Sequence, residues 1–213
     1  PRNTKFYEDT AFCSYFTFER DLYEHWKFFS ITEENLLLLA KENYFEFEKI
    51  LKSLEKSESI TIIELLLSCY LQNYKNLKKE IFKFLTRKDL LLTVLSSNYG
   101  KYNLLLLIGK IYPVLDKRQK SIINDLFLSC KRKRTKRDNN TYIDYPVFEL
   151  LSVVPKNEIC KNPVLNKRLS ELERKYGGKY VLEEPYQSRM TGVEAPYPEK
   201  AYEKMNFNQL IES

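Results

Sequence analysis

The sequence predicts an all-α fold of short helical hairpins, on three observations. Apolar residues recur three and four positions apart through the first 130 positions, the period of a helix with one buried face. Alternation of the kind a half-buried strand needs is scarce. Helix start and stop residues punctuate the pattern at short intervals.

Taken in order, helices are expected over about 5–15 and about 17–29, where Phe18, Leu22, Trp26 and Phe29 share a face. "SITEENLLLLAKEN" supplies start signals, because Ser30 stands three residues before Glu33 and Thr32 can cap by itself. A helix is therefore expected from Glu33, with its continuation or partner in "YFEFEKILKSLEK" ending near Ser57. The pattern restarts at Ser59 or Thr61 in "SITIIELLLSCYLQNY", and "KNLKKEIFKFL" follows a short break. Thr86 is expected to open "TRKDLLLTVLSS", with Asn98 and Gly100 as punctuation. "KYNLLLLIGKIYPVL" runs to Pro113, which lacks an amide hydrogen and should end or kink that helix. Asp116 can cap "KRQKSIINDLFLSC". "DYPVFELLSVVP" is a helix closed by Pro155, and "NPVLNKRLSELERKYGG" one with Asn162 as cap, Pro163 in its first turn and Gly177 or Gly178 as left-handed stop.

Pairs of roughly 35–45 residues have the length of stacked helical hairpins, so a HEAT-like α-solenoid or an irregular helical bundle is expected. The expected divisions are a helical-repeat array over 1–130, a basic loop over 131–141, a terminal hairpin over 142–178 and a last segment over 179–213. That segment holds Pro185, Pro196 and Pro198 and reads as extended and tyrosine-bearing, followed by a helix from about Asn206 capped with Gln209. The chain opens at Pro1 and stops at Ser213 inside a helical pattern, which points to a piece of a larger parent.

Composition narrows the role. The longest leucine runs fall far short of the ~18 apolar residues of a membrane span, and no signal peptide or membrane partner is expected. The cysteines at 13, 69, 130 and 160 form no C-x-x-C pair, which fits a reduced, cytoplasmic setting without a metal or other cofactor. Only five glycines occur, and no P-loop, G-x-G-x-x-G or G-x-S-x-G pattern is present, which argues against nucleotide-dependent and hydrolase chemistry.

The formal charge is +6, and "KRKRTKR" holds six cations in Lys131, Arg132, Lys133, Arg134, Lys136 and Arg137. The remainder of the chain is therefore neutral, and the run is local. Three uses fit it: a solvated loop between helices, a contact for nucleic-acid phosphate or another polyanion, or a nuclear-localisation signal. The 16 tyrosines and 13 phenylalanines either fill the layers between helices or, in stretches such as "NYKNLKKEIFKF" and "NYGKY", stack on bases. The core use is the expectation.

His25 is the only histidine, so a two-histidine metal site is excluded and one imidazole remains for acid–base work. Arg20, Asp21 and His25 in "RDLYEH" fit the R-[polar]-x-x-x-H pattern of HEPN ribonucleases, an all-α family to which the stretch is similar. That similarity implies Arg20 and His25 acting on RNA phosphodiester bonds at a paired subunit. The alternative pairs Arg20 with Glu24 and packs His25 beside Trp26.

The end of the chain carries Glu173, Lys175, Tyr176 and Gly177, then Ala195, Pro196 and Pro198, then Ala201, Lys204 and Met205. In this pattern it resembles the end of the helical-repeat arm in large bacterial NACHT- or STAND-type NTPases and related defence-associated proteins. Tyr197 departs from a small or aliphatic residue, and Asn208-Gln209-Leu210 from an acidic residue and tryptophan. The resemblance implies a repeat-arm segment of a larger protein whose NTPase or effector parts lie elsewhere. Stacked helices make a wide surface, so a non-catalytic recognition or scaffold arm is expected, partnered by a protein or by other domains of its parent.

Overall fold

A computed structural model describes residues 21–131 and 142–182, with side chains at 29–97, 100–131 and 142–182. The chain divides into a unit of residues 1–183 and a unit of residues 184–213, and every described residue belongs to the first. The fold is all-α. Among the described residues its helices are α1 (Asp21–Glu42), α2 (Tyr44–Leu54), α3 (Ile60–Gln72), α4 (Lys78–Leu85), α5 (Lys88–Val94), α6 (Asn98–Ile111), α7 (Lys117–Ser129), α8 (Tyr145–Ser152), α9 (Lys156–Cys160) and α10 (Pro163–Tyr176).

Two helices that are apolar nearly all round form the centre. In α3, Ile63 and the run Leu65 to Tyr70 are buried, and in α6 so are Leu104, Leu105, Leu107, Ile108 and Ile111. A helix without a polar stripe needs neighbours on every side. Accordingly α3 packs on α1, α2 and α6, while α6 also packs on α5 and α8. Gly109 permits close approach: a Cβ there would lie 3.1 Å from the Val153 carbonyl oxygen at the end of α8. Helix α8, buried from Pro146 to Leu151, joins α7 and α10 to the body.

The start and stop signals are partly as expected. Asp116 and Gln119 make a reciprocal capping box on α7. The Asn162 side chain accepts from the amides of Val164 and Leu165, and Pro163 sits in the first turn of α10. Gly177, at φ 82°, stops it left-handed, and the Gly178 amide donates to the Glu173 carbonyl at 2.9 Å. Helix α6 ends at Ile111, and Pro113 lies in the 3₁₀ turn Tyr112–Val114.

Four expectations are corrected. No helix starts at Glu33, because α1 runs unbroken through Ser30 and Thr32; a hydroxyl caps only where the preceding backbone leaves the helix. Thr86 closes α4 instead of opening α5, its hydroxyl donating to the Lys83 carbonyl at 2.8 Å. Asn98 and Gly100 lie inside the first turn of α6, which Ser97 caps by accepting from the Gly100 amide. The short helix α9 after Pro155 was not expected from the sequence.

Within the run "NLLLLA", Leu36 and Ala40 are buried whereas Leu38 is 50% exposed. The aromatics largely follow the core reading, with Phe47, Tyr70, Phe84, Tyr112, Phe127 and Phe148 buried. Within "NYKNLKKEIFKF", Phe84 is buried and Tyr74 and Phe82 pack against the core. The expected segment beyond 182 and the final capped helix lie outside the described residues, although Tyr180 and Leu182 pack on the core.

Candidate nucleic-acid interface

Of the six cations singled out in the sequence, Lys131 is described, whereas Arg132, Lys133, Arg134, Lys136 and Arg137 lie outside the described residues. Arg20 and the side chain of His25 lie outside them too; the backbone of His25 is in α1. Neither the ribonuclease pattern nor the Arg20–Glu24 pair has a described geometry.

Lys131 leads to a cluster that the sequence did not reveal. Its ammonium lies 3.8 Å from the Asp144 carboxylate, at the point where the chain re-enters the body before α8. Two side chains about two turns apart on α10 meet the same carboxylate: Arg168 at 3.2 Å and Lys175 at 3.3 Å. Arg168 also pairs with Glu171 at 3.2 Å. Partial burial by itself would raise the Asp144 carboxyl, but the Lys175 hydrogen bond and the charges of Arg168, Lys175 and Lys131 outweigh it and hold the group below its usual value. Asp144 therefore stays ionised at neutral pH and fixes three cations from two parts of the chain.

Tyrosines border these charges. Tyr142, two residues before Asp144, is 59% exposed. Its ring lies 6.2 Å from that of Tyr176 at an interplanar angle of 17°, and 6.0 Å from that of Tyr145. The Lys175 ammonium lies 5.2 Å from the Tyr176 ring centroid, within cation–π range. Tyr176 in turn packs on Phe148, which ties the rim to the core. Cations and aromatics thus share one surface, the combination that phosphate and base together require.

Two of the described cysteines, Cys69 and Cys130, are buried. Burial pushes the Cys69 thiol up to about 12 and the Cys130 thiol up to about 11, so neither is a thiolate at neutral pH. Tyr70 is raised by burial and by its 2.7 Å hydrogen bond to Glu55. No group of three or more His, Cys, Asp or Glu side chains among the described residues is placed to hold a metal ion. Among the same residues no helix is long and apolar enough to cross a membrane.

No protein-family model, curated protein or solved structure matches this chain.

The cluster was hidden because its members are far apart in sequence. Lys131 was visible as one of a run, but Arg168 and Lys175 sit in a mixed-charge helix, "LNKRLSELERKY", that reads as ordinary solvated surface. The one signal was the aromatic content of "YIDYP" immediately after the basic run.

Proposed function

We propose that this chain is a non-catalytic helical-repeat module, a protein-recognition or scaffold arm of a larger bacterial NTPase-linked protein of the defence type. The observation that carries the recognition role is on α1. Ile31 and Leu38, 47% and 50% exposed, are seven residues apart and so share one face. Buried Leu36 and Ala40 hold the opposite face against the body. An apolar pair presented away from the core gives a partner apolar area to bury. The resemblance of the chain's end to the repeat arms of NACHT- or STAND-type NTPases supports the parent.

Two measurements test this. A photo-crosslinking side chain in place of Leu38 should capture one discrete partner, or another part of the parent, and Ile31→Asp should remove the adduct. An adduct indifferent to Ile31→Asp would refute the role. Reading the gene on both sides should reveal a P-loop in the same open reading frame, and a frame without one rules out the NTPase parent.

A second reading, a nucleic-acid-binding helical module that uses the basic run, is favoured by the Lys131–Asp144–Arg168–Lys175 cluster. Replacing the six cations from Lys131 to Arg137 by neutral residues should then abolish salt-dependent DNA or RNA binding. Undiminished binding would dismiss it.

A further inference from the structure

We infer that the surface formed by Tyr142, Lys131, Arg168 and Lys175 is a binding site for single-stranded nucleic acid, in which Tyr142 stacks on a base and the three cations meet backbone phosphates. This rests on the second reading above and adds to it a ligand class and residues outside the basic run.

Three features carry it. The first is charge: Lys131, Arg168 and Lys175 face two paired carboxylates, Asp144 and Glu171, which leaves the cluster net positive. The second is arrangement. Asp144 holds the cations at 3.2 to 3.8 Å, and each retains further N–H donors, since an ammonium has three and a guanidinium five. Two of them, Lys131 and Lys175, are the more exposed partners of their ion pairs, so phosphate can approach from the solvent side. The third is the ring. More than half of Tyr142 is open to solvent, while Tyr145 and Tyr176 contact it and limit its freedom before any ligand arrives. An aromatic that is already confined loses less entropy on stacking. A duplex hides its base faces, so a single strand is the matching form. An acidic peptide without aromatic or arginine side chains would use the cations but leave the ring without a stacking partner.

The test uses the whole chain and fluorescence anisotropy with a short labelled oligouridylate, a duplex of equal length, and base-free polyphosphate as competitor. Stacking on one aromatic contributes roughly 1–3 kcal/mol, so Tyr142→Ala should weaken oligouridylate binding about 5- to 150-fold and leave polyphosphate binding unchanged. Tyr142→Phe should bind as the unaltered chain does, and Arg168→Gln with Lys175→Gln should weaken both ligands. Should Tyr142→Ala lower the melting temperature, Tyr142→Leu, which keeps apolar bulk without a ring, makes the same comparison. The inference is overturned by an unaffected Tyr142→Ala, by equal losses for oligouridylate and polyphosphate, by duplex bound as tightly as the single strand, or by preference for an acidic phosphopeptide. If neutralising the basic run abolishes binding while Tyr142→Ala does not, the second reading survives and this site does not. If the unaltered chain binds neither oligouridylate nor polyphosphate, both fall.

Discussion

Glu64 and Asp144 are two carboxylates that each tie distant parts of the chain together, by opposite physics. Glu64 reaches from α3 to the start of α6, where one oxygen accepts from the Ser97 hydroxyl and from the Gly100 amide, the latter at 3.1 Å. Burial raises its pKa, and those two hydrogen bonds only partly oppose the shift. Asp144 lies at the rim, surrounded by cations, and its pKa falls. The central carboxylate is a half-buried fastening whose charge is a liability, and the rim carboxylate is an organiser whose charge is the point. The cations that Asp144 holds stay more exposed than the carboxylate itself.

Breaking the centre should cost most. Leu104 is fully buried in α6, and Leu104→Ala should lower stability by about 2–5 kcal/mol, read by denaturant unfolding followed at the helical circular dichroism band. Glu64→Ala should cost less, about 1–3 kcal/mol, because it strips a partner from the Ser97 hydroxyl and the Gly100 amide. Glu64→Gln should be neutral or stabilising at neutral pH, since both donors use the one oxygen an amide retains. A Gln variant as unstable as the Ala variant would show that the charge itself is needed.

The rim should respond least and with opposite pH dependence. A raised carboxyl contributes stability that is complete below its ordinary value of 4.5 and lost as pH rises through the folded-state value. Glu64→Gln should therefore flatten the decline above pH 4.5. A lowered carboxyl contributes above its ordinary value of 3.8 and loses that contribution as pH falls through the folded-state value. Asp144→Asn should flatten the acid limb, at a neutral-pH cost of about 1 kcal/mol or less that shrinks with added salt, as for partly exposed ion pairs. Melting temperatures across an acid pH series separate the two; parallel profiles would erase the distinction.

Much of the fold was legible from local pattern. The all-α class, the Asp116 and Asn162 caps, the end of a helix before Pro113 and the glycine stop at Gly177 each depend on residues within one turn of each other. Signals that depend on the state of the neighbouring backbone were misleading. Thr86 and Ser97 are both hydroxyl residues between helices, yet one closes α4 and the other caps α6. Asn98 and Gly100 looked like a break because weak helix propensity says nothing of a carboxylate arriving from α3 to satisfy the Gly100 amide.

The sequence by itself determined that the chain is helical, which runs form its core and where its net charge is concentrated, because periodicity and composition act over a few residues. Tertiary structure alone decided which charges and rings meet. Asp144 finds Arg168 and Lys175 across the packing of α8 on α10, and Tyr142 meets Tyr176 there. Electrostatic and stacking energies depend on distance through space, so the basic run was visible as a string of letters while the surface beside it was not.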